Sequence, residues 1–132
     1  MTKAKRPPIC MIDTEADALF DMADSAKDRL PQASELLAAE IDRARIYDAA
    51  HIPADVITMG STVEYLDEAN GTARTVQLVY PKDADLEAGR LSILTPMGAG
   101  LIGLREGQTI RWPDRDGHER NVTIVKVRQS PA

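Results

Sequence analysis

Between residues 14 and 47 the apolar positions recur three and four apart. Ala16, Leu19, Ala23, Ala26 and Leu30 draw one narrow seam, and Asp17, Asp21, Asp24 and Asp28 occupy the opposite side. That spacing predicts a helix with a coiled-coil stripe. Thr14 is placed to cap it ahead of Glu15, with Asp17 three residues on as a weak capping box. Pro31 disfavours helical geometry at Leu30 and lacks a donor, so the helix should stop there. Ser34 then caps a second helix over residues 35–47, whose seam is Leu37, Ile41 and Ala44, broadened by Leu36. Helices joined by so short a turn pack antiparallel. Arms of about 13 to 16 residues make a hairpin that projects about 20 to 25 Å. Such short helices are marginal alone and need each other and the rest of the chain.

After Asp48 the pattern breaks. Residues 51–55 read as a linker, and the period then changes to alternation: Val63 and Tyr65, Val76 with Leu78 and Tyr80, Leu91 and Ile93, Ile110 and Trp112, Val122 and Ile124. These pairs predict five short strands. Asn70-Gly71 and Asp116-Gly117 are hairpin-type dipeptides, which makes the first and second strands, and the fourth and fifth, antiparallel neighbours. Thr95-Pro96 opens a short helix that Gly107 ends. Residues 1–8 and 129–132 read as loose ends. The expected fold class is α+β, with an N-terminal antiparallel helical hairpin over residues 1–50 and a sheet domain with one short helix over residues 51–132.

Composition narrows the function. A chain of 132 residues with 43% hydrophobic content holds one domain or two very small ones. No run approaches the roughly 18 to 20 apolar residues of a membrane span, and residues 9–12 are too short for a signal-peptide core. A cytoplasmic protein without membrane contact is expected. One cysteine, Cys10, and two isolated histidines, His51 and His118, support neither a disulfide scaffold nor a zinc site. We therefore expect no metal, no cofactor and no catalytic residue. The net charge of -5 is uneven: residues 13–48 hold ten acids against four bases, whereas residues 1–6 carry three bases and no acid. An acidic first third argues against direct, sequence-specific nucleic-acid binding, which needs a basic surface. A partner with a basic groove fits better.

Four features invite chemistry. Gly98, Gly100 and Gly103 satisfy the GxGxxG dinucleotide pattern. The helix they open is too short for the crossover of a roughly 30-residue βαβ unit, so small residues that bring helix close to sheet are the better reading. His51 and His118 lack triad neighbours at any usable spacing and read as surface residues. Cys10 reads as a small semi-buried apolar side chain. The hairpin tip offers Asp28, Arg29 and Glu35. Glu35 suits the start of a helix, whereas Asp28 faces the negative end of a helix dipole, with Arg29 beside it as compensation.

Longer strings carry a resemblance. Pro-Ala-Asp-Val-Ile-Thr-Met-Gly-Ser-Thr-Val at 53–63, Leu-Val-Tyr-Pro at 78–81, the run 91–107 and the segment 110–112 resemble the C-terminal domain of the Gre transcript-cleavage factors. Glu-Ile-Asp-Arg-Ala at 40–44 resembles the Rnk group of that superfamily, named as regulators of nucleoside diphosphate kinase. The resemblance implies a short coiled coil joined to an FKBP-like domain. It also implies a bacterial transcription regulator that binds RNA polymerase at the secondary channel, through which Gre factors reach the active site with a long coil and two tip acids on magnesium.

The residues then decide between branches. A close tandem of tip acids is missing, and an arm of about 25 Å is too short for the channel. A non-enzymatic regulator is expected at the channel entrance, competing with Gre-type factors without stimulating transcript cleavage, with Asp28, Arg29 and Glu35 contacting polymerase. Two alternatives remain. One is an FKBP-like peptidyl-prolyl isomerase, disfavoured because Phe20, Tyr47, Tyr65, Tyr80 and Trp112 are all the aromatics available for a pocket. The other is regulation of nucleoside diphosphate kinase through another partner.

Overall fold

The first strand, β1 (Cys10–Ile12), runs without a break into α1 (Asp13–Ala26), and the helix needs no side-chain cap. The computed structural model describes residues 7–68, 71–113 and 116–130. Thr14 is therefore inside the helix, and its amide is taken by the carboxylate of Asp13 at 2.7 Å. The strand fixes how the chain enters the helix, which leaves a capping hydroxyl nothing to do.

The second helix, α2 (Pro31–Arg43), starts earlier and ends earlier than its seam suggests. Pro31 takes the first helical position, where a missing N–H costs nothing. Ser34 is thus one turn inside and buried rather than a cap. At the other end residues 45–47 leave the helix as β2 (Arg45–Tyr47), which pairs parallel to β1 with Cys10 opposite Arg45 and Ile12 opposite Tyr47. A helix signal at Tyr47 is overridden because β1 offers its free edge.

The sheet follows as β3 (Thr62–Asp67), β4 (Thr72–Val79), β5 (Arg90–Ser92), β6 (Thr109–Pro113) and β7 (Glu119–Arg128), in the order β5-β4-β3-β7-β6. The two expected antiparallel neighbours, β3 with β4 and β6 with β7, are present. Gly71 and Gly117 adopt φ of 67° and 81° in the connections, whereas Asn70 lies outside the described residues. β5 joins β4 in parallel. A register shift between Glu64 and Tyr65 gives β7 one extra residue against β3. It moves the buried set from Val122 and Ile124 to Val127 and turns Val125 outward.

Hairpin and sheet share one hydrophobic cluster. Leu19, Ala23 and Leu37 from the helices join Ile57, Trp112 and Ile124, and α2 packs on the short helix α3 (Pro96–Leu101). The hairpin lies against the rest of the chain, as its marginal length requires, and does not stand away from it. Val56, Ile57 and Met59 are buried directly after the segment read as a linker. Ile57 donates to Leu104 O at 2.8 Å and accepts from Gly103 N at 2.9 Å.

The ends are tied as well. Pro7 O accepts from Arg43 at 2.6 Å, and Gln129 donates to Pro53 O and Val56 O at 2.8 and 2.9 Å. Residues 1–6 and 131–132 lie outside the described part.

Candidate interaction surface

The GxGxxG string is a packing device. Thr95 caps α3 by accepting from Gly98 N at 3.0 Å. A Cβ at Gly98 would meet Ser92 O at 2.2 Å, and one at Gly100 would meet the Trp112 ring at 2.6 Å. Trp112, fully buried, donates its indole N–H to Pro96 O at 2.5 Å. The helix ends at Leu101, well before Gly107, which turns the chain into β6 with φ 86°. These glycines press α3 onto the sheet and thereby hold Thr95-Pro96 at the surface as a fixed ridge.

Two hollows flank that ridge. On one side Leu86, Arg90, Leu91, Met97 and Arg120 line a cleft of about 290 Å³. Leu86 is 69% exposed there, a large apolar side chain left in water beside two guanidinium groups. Arg120 is paired with the buried Asp67. On the other side the hairpin turn supplies Arg29, Leu30 and Pro31 to a second hollow with Leu94, Thr95 and Pro96. Arg29 and the cleft therefore border one surface.

The turn splits the three tip residues. Asp28 lies past the end of α1, which stops at Ala26, and Arg29 and Leu30 both donate their amides to Ala26 O, at 3.1 and 2.8 Å. Asp28 and Glu35 line a different hollow, together with Phe20, Lys27 and Ser34. Lys27 pairs with Asp24 at 3.5 Å, both side chains well exposed. So the two acids share a hollow with an ammonium, and Arg29 faces the Thr95-Pro96 ridge instead.

Elsewhere the charged groups hold the fold. Glu40 is completely buried and takes both Nε and Nη2 of Arg43, at 3.0 and 2.7 Å. Glu15 accepts from Met59 N at 3.0 Å. Burial raises its carboxyl above the usual range, an effect the Met59 amide partly offsets. The same burial raises Tyr80, with the Glu15 charge adding to it. Arg105 is held by Asp55 at 2.8 Å and Arg111 by Glu119 at 2.7 Å. His51 is exposed and pairs with Asp48 at 2.6 Å, and that hydrogen bond lowers the Asp48 carboxyl. Cys10 is buried on β1.

Comparison with known proteins places this arrangement. The family description "Transcription elongation factor, GreA/GreB, C-term" matches residues 52–129. The chain belongs to the GreA/GreB family. The "Regulator of nucleoside diphosphate kinase" of Escherichia coli (strain K12) is 33% identical over 127 residues, which is 96% of this chain and 93% of that protein. "Transcription elongation factor GreA" of Azorhizobium caulinodans is 31% identical over 134 residues, covering 96% of this chain and 85% of its own length. A solved structure, "Prokaryotic transcription elongation factor GreA/GreB from Nitrosomonas europaea", superposes with a TM-score of 0.72 at 36% identity, covering 93% of this chain and 99% of that one.

For a GreA/GreB family member the ridge between the two hollows is what sequence reasoning missed. Leu86 lay between strands and carried no periodic signal. A lone leucine in the polar stretch 81–90, with Pro81 ahead of it and Arg90 behind, was the available clue. Among the described residues that line the Leu86 cleft none is aromatic, and Tyr65 and Trp112 are consumed by the core.

Proposed function

We propose that this chain is an RNA polymerase-binding transcription regulator that acts at the entrance of the secondary channel. It competes there with Gre-type factors and does not stimulate transcript cleavage. In this reading residues 1–50 form the hairpin unit and residues 51–132 an FKBP-like docking unit. The observation that carries it is the size and seating of the hairpin. Arms of 14 and 13 residues extend about 20 Å, and α2 is seated on the short α3. A hairpin of this reach, seated on the body through α2, supports occupancy of a channel mouth and not passage down it.

Docking would use the Thr95-Pro96 ridge, with Leu86 and Met97 as apolar anchors, Arg90 on the rim and Arg29 contributing from the tip. Asp28 and Glu35 are secondary contacts. Lys27, paired with Asp24, lines the same hollow, and its positive charge there weighs against a shared magnesium.

Capture of core polymerase at low salt, followed by a cleavage assay on a backtracked complex, tests the proposal. Polymerase should be retained, retention should fall at least tenfold in Leu86→Asp, and the transcript should stay intact. Failure to retain polymerase at low salt overturns it. Cleavage that is lost in Asp28→Ala or Glu35→Ala would instead assign the chain to the cleaving branch of the family.

A further inference from the structure

The outer face of the hairpin carries an apolar strip that the core does not use. Phe20 on α1 is 54% exposed and Ile46 on β2 is 49% exposed. Two hollows, of about 390 and 640 Å³, run along this face and share Phe20 and Ala38, so they form one groove between the helices. Its rim is acidic. Asp17, Asp21 and Asp42 line the half near β2, and Asp24, Asp28 and Glu35 line the half near the turn. Lys27 is the base among the lining residues, and Asp24 already pairs with it. Ser34, whose side chain is buried, underlies the half near the turn.

We infer that this groove receives a basic amphipathic helix of a partner protein. A groove between two antiparallel helices is the shape a third helix fills, with its apolar row on the strip and its flanks on the rim. Phe20 is the anchor, an aromatic ring at the point where both hollows meet. The rim selects the flanks: six carboxylates against one ammonium call for Lys and Arg on the incoming helix. The same rim excludes the competing occupants. A second copy would bring acid onto acid, and a nucleic-acid strand would bring phosphate onto carboxylate. The inference shares Asp28 and Glu35 with the polymerase reading but does not depend on it, because its anchor Phe20 and the other four carboxylates lie outside the proposed docking ridge.

The test uses the full chain and a labelled synthetic helix of about 18 residues, five turns, with a leucine row flanked by arginines. Fluorescence anisotropy should show binding at low salt that weakens at least tenfold in Phe20→Ser and, separately, in the double variant Asp21→Lys with Asp24→Lys. A peptide with glutamates in place of the arginines should not bind. Thermal melts of both variants should match the parent, since all three positions are exposed. Equal affinity for parent and variants overturns the inference, as does failure of the parent to bind. So does a concentration-dependent dimer that Phe20→Ser abolishes, which would give the groove to a second copy.

Discussion

The hairpin and the sheet are held to the same core by different means. On the sheet side the buried residues are large: Trp112, Ile110, Ile124, Leu78 and Ile93. In the two helices they are mostly small: Ala16, Ala23, Ala26 and Ala33, with Leu19 and Leu37 as the large members, while Ile9, Met11 and Ile12 are supplied by the segment that leads into α1. Buried apolar area scales with side-chain size, so the helices gain less per residue and are supplemented by discrete polar ties. Glu40 and Arg43 brace α2 against the entering segment through Pro7 O, and the Glu15 bond to Met59 N and the Cys10 N bond to Gly103 O reach the rest of the chain. A region attached in this way opens locally before the whole molecule does, and it is also the region that presents the acidic groove.

Trp112→Ala is the largest expected blow to that contrast. It empties the space against Gly100 and removes the donor to Pro96 O, and should cost about 3–5 kcal/mol. Amide exchange should accelerate in both regions, because the ridge and α3 lose their support. Arg43→Met comes next. It removes both Arg43 hydrogen bonds from the buried Glu40 carboxylate, and the loss should be about 3 kcal/mol, near the lower end for a broken pair because Arg43 is partly exposed. Chemical denaturation would measure both.

Leu37→Ala should cost about 2–3 kcal/mol and sharpens the comparison further. Exchange should rise in α1 and α2 while β3 and β7 stay protected. Uniform loss of protection would show that the two regions open as one. Glu15→Gln is the smallest change and has the opposite sign. Burial raises the native carboxyl above its ordinary 4.5, so the folded state holds this proton more tightly than the unfolded state. The parent accordingly loses stability as pH rises through the raised native value. The Gln variant keeps an acceptor for Met59 N without that loss. It should be more stable at neutral pH, by less than about 1 kcal/mol, and the gain should vanish below about pH 4.5 in melts taken across the range.

Local periodicity made much of this fold legible. The alternation at Val63–Tyr65 and Ile110–Trp112 marked real strands, and the two Gly-containing turns marked real hairpins, because both signals are local. The failures had a common cause, a partner distant in sequence. Tyr47 leaves the helix for β1, some 35 residues away, and Ile57 is drawn into the core by Leu104. Pro31 carried an ambiguous signal, since proline stops one helix and starts another by the same missing N–H. At the hairpin turn, positions were partly legible and groupings were not. Spacing put Asp28 and Arg29 at the turn, where they lie, whereas Glu35, expected at the start of the second helix, sits one turn inside it because Pro31 begins α2. Their division between two hollows depends on where the turn meets Thr95-Pro96, which no pattern within the hairpin encodes.

The parallel pairing of β1 with β2 makes the two helices a closed excursion. The chain leaves the ladder at Ile12 and returns to it at Arg45, so both ends of the excursion are clamped side by side whatever lies between them. Arms could be lengthened by two turns each, about seven residues that keep the apolar seam in phase, without disturbing the sheet or the clamp. The first effect of such an extension would be to lift the turn off the Thr95-Pro96 ridge. The hairpin is in this sense an interchangeable part, and its reach can be evolved or engineered separately from the body that carries it.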